Sequence, residues 1–268
     1  MTVPIITLLS DFGLKDPYVA EMKATILSIL PESQIIDISH KIEKFNIRMG
    51  AFTLASASPY FPIGTIHVAV VDPGVGTARR PIIVETSRCS YVGPDNGLLM
   101  LSAQRQGIRH VYQIGNPEYM LPRVSRTFHG RDIFAPAAAH LAKGRLLSDF
   151  GHEIYNYVFP HFAEPKLSGK KLTGEVLHVD DFGNIITNIT MQDLEKVRVQ
   201  ESSLLQVKFK RRELTLKLCS AYGEAPAGKL LAIIGSHEFL EIALNQGSAA
   251  EMLKADLGSH VRVSPISA

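Results

Sequence analysis

Thr65-Ile66-His67-Val68-Ala69-Val70-Val71-Asp72-Pro73-Gly74-Val75-Gly76 is the stretch on which the reading of the fold turns. Its first part is a near-continuous apolar run, the pattern of a strand buried on both faces. It stops at an Asp followed by Pro-Gly, so the chain bends as the strand ends. Upstream, Ile5 to Ser10 is a second short apolar run, ending in Ser10-Asp11-Phe12-Gly13. Between the two runs, Tyr18 to Leu30 carries apolar residues at helical spacing behind Pro17. Gln34 to Ile38 has strand character, and Ile47 to Ser58 is helical with small residues on one side. Downstream, Pro81 to Glu85 and Ser90 to Val92 look like strands, and Gly97 to Gln106 and Ile133 to Ala142 like helices. Apolar strands alternating with helices predict an α/β N-terminal domain with a mostly parallel sheet.

The pattern changes after about residue 150. Tyr155, Tyr157, Phe159, Pro160, Phe162 and Pro165 follow one another without a clear period. Beyond Ser168-Gly169-Lys170-Lys171 come short strands separated by turns: Gly174 to Val179, Ile185 to Ile189, Leu204 to Phe209, Leu214 to Leu218, Lys229 to Ile234, Phe239 to Leu244 and Val261 to Val263. Closely spaced short strands predict a smaller all-β barrel as the C-terminal domain. The expected organisation is therefore an α/β domain over 1–160, a linker over 161–170 and a β-barrel domain over 171–268.

Composition narrows the function. The chain has 268 residues, 46% hydrophobic and 20% charged, with a net charge of +2, the mix of a soluble globular protein. Its basic clusters are short, such as Lys208 to Arg212, and read as a solvated strand edge, so no nucleic-acid partner is expected. No apolar stretch has the length of a membrane span. Met1-Thr2-Val3-Pro4-Ile5 does not read as a secretory leader, and Cys89 and Cys219 show no disulfide or metal spacing. A cytoplasmic location is expected. The ten His are dispersed without ligand spacing, so no metal and no organic cofactor is expected.

Several residues sit where chemistry is expected. In an open parallel sheet the ligand crevice forms at the carboxyl ends of the strands. Asp11 and Asp72 both follow strands; either can face that crevice, and either can simply cap a turn. An Asp at that position can accept hydrogen bonds from sugar hydroxyls. Arg79, seven residues beyond Asp72, can return to pair with it or lie on the surface. His129, in Thr127-Phe128-His129-Gly130-Arg131-Asp132, precedes a predicted helix and suits either a structural role or the handling of a water. In His178-Val179-Asp180-Asp181-Phe182-Gly183-Asn184, an aromatic able to stack on a base stands beside an amide able to read an adenine edge. The same residues suit a hairpin turn.

Seven segments, in order and spanning nearly the whole chain, resemble the S-adenosylmethionine hydroxide adenosyltransferase family, relatives of the chlorinases and fluorinases that use the same substrate. They are LLSDFGLKDPYVAEMK, DISHKI, VDPGVGTARRPI, VGPDNGLL, FHGRDIFAPAAAHLA, VDDFGNIITNI and GSHEFLEIALNQGSAA. The resemblance implies hydrolysis of S-adenosylmethionine to adenosine and methionine. It also implies a homotrimer in which a neighbouring subunit completes each site. The family's Asp–Arg–His set falls on Asp72, Arg79 and His129, and its ribose-binding Asp on Asp11. Asp180 and Ser236 would meet the methionine end, with Asp181 an alternative to Asp180. Phe182, Asn184, Asn245 and Gln246 would meet the adenine, and Phe45 matches a fluorinase Trp beside the ligand. His237 and Leu244 replace two fluorinase arginines.

The chemistry so implied is displacement at ribose C5′ by water or hydroxide. The sulfonium leaves as a neutral thioether and needs no acid. Asp72 and His129 are both expected to accept hydrogen bonds from the nucleophile, with Arg79 directing Asp72. Two other readings compete: a halogenase of the same fold, which a carboxylate beside the attack position disfavours by repelling the halide, and a sensor that binds without turnover.

Overall fold

The computed structural model describes residues 3–266. The chain divides into two compact units after Pro160.

The N-terminal unit is built on a six-stranded sheet. Its strands are β1 (Ile5–Ser10), β2 (Gln34–Ser39), β3 (Ile66–Val70), β4 (Pro81–Thr86), β5 (Ser90–Pro94) and β6 (Ile108–Gln113), in the order β2-β1-β3-β5-β4-β6. One face is covered by α1 (Tyr18–Ile29) and by α4 (Ala135–Ala142); the other carries α2 (Ile47–Ala57) and α3 (Met100–Arg105). Ile6, Leu8, Val68 and Val70 pack with Met22, Ile26 and Phe134 on the first face. Leu9, Ala69 and Val71 pack with Leu54, Tyr91 and Leu99 on the second. Adjacent residues of one strand thus enter different layers, which is why β1 and β3 read as unbroken apolar runs.

The sheet is mixed rather than mostly parallel. The β1–β2, β1–β3 and β3–β5 pairs are parallel, whereas β4 runs antiparallel to both β5 and β6. The reason lies in the connection. Thr86 and Cys89 close a tight hairpin, with Thr86 N–H donating to the Cys89 carbonyl at 3.0 Å, and a parallel return needs a crossover of about a dozen residues. The apolar pattern of a doubly covered strand carries no information on direction.

The C-terminal unit is a closed barrel of seven strands: β8 (Lys171–Val179), β9 (Ile185–Thr190), β10 (Leu204–Phe209), β11 (Arg212–Cys219), β12 (Leu230–Ile234), β13 (Phe239–Leu244) and β14 (His260–Pro265). It closes through β14–β8 pairing around Val176, Ile185, Val207, Phe209, Ile242 and Val263. The stretch expected to be a linker is ordered. His161–Ala163 form a 3-10 turn, and β7 (Lys166–Ser168) pairs with β8 through the Gly169-Lys170 hairpin. It resembled a linker because its aromatic and Pro residues follow no period: Phe162 and Ala163 are buried, while Lys166–Ser168 and the Gly169-Lys170 turn are exposed. Among the described residues, no helix is long and apolar enough to cross a membrane.

His67 lies fully buried in β3. It is bonded through Nδ1 to Thr7 Oγ1 at 2.7 Å, stacked on Tyr91, and its Nε2 has no partner. Burial pushes its pKa down to about 4. The unfolded chain binds a proton near pH 6.5 where the folded chain does not. This contribution to stability is therefore complete above pH 6.5 and is lost as the pH falls toward 4, by roughly 3 kcal/mol. Thermal unfolding of wild type and His67→Gln across that range should show the steeper acid loss in wild type; parallel curves would contradict the assignment.

Candidate active site

Parallel pairing of β1 with β3 places Ser10 opposite Val70, so the segments leaving the two strands, with Asp11 and Asp72, emerge side by side at the carboxyl edge. One cleft of about 390 Å³ there is lined by Asp11, Lys44, Phe45, Asp72 and His129, with Phe12, Tyr18 and Phe128 as an aromatic wall. The three rings pack on one another at centroid distances of 5.1–5.7 Å.

Asp72 and Arg79 form a bidentate pair. Arg79 Nε donates to Asp72 Oδ1 at 3.1 Å and Nη2 donates to Oδ2, with the two side chains only 7% and 5% exposed. The seven-residue return is made by a tight turn in which Thr77 Oγ1 donates to the Gly74 carbonyl at 2.6 Å. Gly76 has φ +74, and a Cβ there would fall 2.2 Å from the Arg126 carbonyl oxygen, so the turn requires glycine. The Arg79 guanidinium lies over the Phe134 ring, 5.3 Å from its centroid. Phe134 ends a π-helical turn, Gly130–Phe134, and His129 is the residue that precedes it at the N-cap.

Arg79 Nη2 also approaches His129 Nδ1 at 2.9 Å. A guanidinium only donates, so Nδ1 is the acceptor and the imidazole proton resides on Nε2. Burial first, and then the charge of Arg79, hold His129 below the ordinary histidine range. His129 is therefore a neutral donor through Nε2–H, which corrects the expectation that it accepts a hydrogen bond from the nucleophile.

Asp11 is 6% exposed. The Phe45 amide donates to its Oδ2 at 2.9 Å, and Lys44 Nζ donates to its carbonyl. Phe45 has φ +65 and its ring is 67% exposed. A non-glycine residue in the left-handed region costs free energy, on the order of 1 kcal/mol or more. Here that conformation aims an amide at Asp11 and a ring at the cleft.

In the barrel, the residues singled out from the sequence occupy three turns. Asp180 Oδ1 accepts from the Phe182 and Asn184 amides at 3.0 and 2.8 Å, and Oδ2 accepts from Asn184 Nδ2 at 2.9 Å. Asp180 thus organises the turn, while Asp181 and Phe182 are exposed, Phe182 by 82%. Gly183, at φ +80, leaves no room for a Cβ beside Ser248. Asn245 and Gln246 follow β13 at the end that pairs with the start of β9, so they share an end of the barrel with this turn. Asn245 Nδ2 donates to the Ala225 carbonyl at 2.7 Å. Ser236 lies in the Gly235–Glu238 turn that enters β13; the Glu241 carboxyl stands against Gly235 and feels the Asp180 charge, so this turn and Asp180 flank the same carboxyl.

Sequence reasoning missed the aromatic wall, Lys44 and Glu241. Glu241 is a buried carboxyl that accepts from Tyr222 Oη at 2.8 Å; burial pushes its pKa up, and Asp180 adds to the rise. Phe12 and Phe128 flank Asp11 and His129 in sequence, which was the available signal. Among the described residues, no group of three His, Cys, Asp or Glu is placed to hold a metal ion.

Residues 6–151 match the SAM hydroxide adenosyltransferase N-terminal domain, and residues 174–262 match the C-terminal domain of the same family. The chain belongs to the SAM hydroxide adenosyltransferase family. It is 38% identical over 262 residues to an (R)-S-adenosyl-L-methionine hydrolase of Thermus thermophilus, covering 95% of this chain and 97% of the relative. A fluorinase of Nocardia brasiliensis is more distant, at 29% over 291 residues, covering 97% of each chain. The crystal structure of an uncharacterized conserved protein from Thermotoga maritima superposes with a TM-score of 0.84 at 39% identity, over 97% of this chain and 99% of the other.

Membership does not assign the proton on His129; the Arg79 contact does. An NMR titration should place the His129 midpoint below 6.5, and Arg79→Gln should raise it by removing a repelling cation and freeing the Asp72 charge. A wild-type midpoint at or above 6.5 would contradict the reading of His129 as held neutral by burial and by Arg79.

Proposed function

We propose that this protein hydrolyses S-adenosylmethionine at ribose C5′, giving adenosine, methionine and a proton. The observation that carries the reading is the Asp72–Arg79–His129 set at the wall of a cleft that also holds Asp11. A water there has one O–H for Asp72 and one lone pair for His129 Nε2–H, leaving its second lone pair for C5′. Positioning of this kind is worth about 7 kcal/mol or more when alignment is good. Arg79 keeps Asp72 pointed at the water. Asp11 holds the ribose hydroxyls, and Phe45 and the aromatic wall flank the nucleoside.

The relatives' name specifies the R configuration at sulfur, and we assign the same epimer to this chain. The rest of the ligand is met by barrel residues of a neighbouring copy in a homotrimer: Asp180 and Ser236 at the methionine end, and Phe182, Asn184, Asn245 and Gln246 at the adenine. Reaction needs no metal or organic cofactor and takes place in the cytoplasm. A halide nucleophile is disfavoured because the Asp72 carboxylate, at the attack position, repels anions.

The test is incubation with each sulfonium epimer in the presence of a chelator, with resolution of all adenosine-containing products. Equal adenosine and methionine from the R epimer supports the reading; 5′-chloro-5′-deoxyadenosine or no turnover overturns it. Asp72→Asn should lower the single-turnover rate on the order of a hundredfold with substrate affinity retained. Asp11→Asn should instead weaken binding about tenfold to a hundredfold. The reverse pattern would mean that the two carboxylates have exchanged roles.

A further inference from the structure

A line of side chains runs from the surface to the foot of Asp11, and the proposed chemistry uses none of it. Ser10, the last residue of β1, is fully buried, and its Oγ lies 2.7 Å from His40 Nδ1. His40 is itself buried, with Nε2 3.1 Å from Asp37 Oδ1, at ion-pair distance though not aligned as a hydrogen bond. Lys23 Nζ donates to Asp37 Oδ2 at 2.6 Å. Burial pushes the Asp37 carboxyl up, but the Lys23 hydrogen bond and the nearby His40 ring outweigh it and hold the group below its usual range. An ionised carboxylate facing Nε2 favours the ring proton there, which leaves Nδ1 to accept the Ser10 hydroxyl proton. Ser10 Oγ in turn accepts the Phe12 amide at 3.3 Å.

A Ser–His–Asp line suggests a nucleophile, but Ser10 has no exposure through which a substrate can reach it. What the line does reach is backbone. The Phe12 amide belongs to the peptide that joins Asp11 to Phe12. His40 also accepts the Gly13 amide through its own carbonyl at 2.8 Å. One residue therefore grips the tetrapeptide Ser10–Gly13 at both ends, by its side chain at Ser10 and its carbonyl at Gly13, with Asp11 between them. The irregularity in β1–β2 register after Leu8, where Leu9 pairs with Ser39, brings His40 alongside Ser10.

We infer that His40 is a positioning residue for substrate binding: through Ser10 it fixes the peptide plane that aims Asp11 at the ribose hydroxyls. The inference rests on Asp11 as the ribose contact. A residue that only stabilises the fold would affect every ligand alike, whereas one that aims Asp11 acts on ligands with ribose hydroxyls.

Calorimetric titration with adenosine and with 2′,3′-dideoxyadenosine separates the two. His40→Ala should weaken adenosine about tenfold and leave dideoxyadenosine within about twofold. His40→Asn, whose carboxamide oxygen can take the place of Nδ1 as acceptor, should recover most of the loss. If His40→Ala does not fold, Ser10→Ala removes the same hydroxyl bond and should show the same selective loss. Equal weakening of both nucleosides, unchanged adenosine affinity, or no recovery in His40→Asn would overturn the inference. Asp11→Asn distinguishes the two failures. If it shows the selective loss and His40→Ala does not, only the role of His40 is wrong. If Asp11→Asn binds both nucleosides as wild type does, the ribose reading of Asp11 fails and takes the role of His40 with it.

Discussion

Arg79 holds Asp72 with two donors of one guanidinium fork and donates a further hydrogen bond to His129 Nδ1. Most of what is distinctive at the carboxyl edge of this sheet serves that contact. Both side chains are nearly excluded from solvent, and loss of either partner from a buried ion pair typically costs about 3–5 kcal/mol, because the remaining charge is left uncompensated. The chain must therefore bring Arg79 back to the end of β3 with little freedom. It does so with the Pro73–Gly76 turn and the Phe134 ring beneath the guanidinium. The same contact sets the polarity of the pair: Asp72 accepts, and His129, its Nδ1 engaged by Arg79, carries its proton on Nε2, with both residues lining one cleft.

Asp11 is held by different means. Its carboxylate receives the Phe45 amide, while the Ser10 side chain before it and the Gly13 amide after it are both bonded to His40. The two carboxylates thus follow the ends of adjacent parallel strands with separate supports. That separation suits distinct roles, one toward the nucleophile and one toward the sugar. It also explains why the α2-side loop carries a non-glycine residue at positive φ: the conformation of Phe45 is stabilised by the bond that it makes to Asp11.

Much of this was legible in the sequence. The apolar runs ending at Asp11 and Asp72 marked strand ends, and the parallel β1–β3 pair set the two residues side by side. The seven strands that close the barrel were each visible between turns. Strand direction was not legible from apolarity, because a doubly covered strand looks the same either way; only the short Thr86–Cys89 connection encoded the reversal of β4. β6 was missed because its exposed Arg109 and His110 break the apolar run at a sheet edge. β7 was missed because all three of its residues are exposed. At the site, residue types suggested three polar groups around a water, but the tautomer of His129 depends on which atom of Arg79 it meets. Glu241 looked like an ordinary strand residue until burial beside Tyr222 set it apart.

If a water held between Asp72 and His129 attacks ribose C5′, the oxygen of the new 5′-hydroxyl comes from solvent. Reaction in heavy-oxygen water, followed by mass analysis of both products, tests it most directly. One heavy oxygen in the adenosine 5′-hydroxyl and none in methionine is the expected result. Label in methionine, or adenosine formed without label, would contradict it.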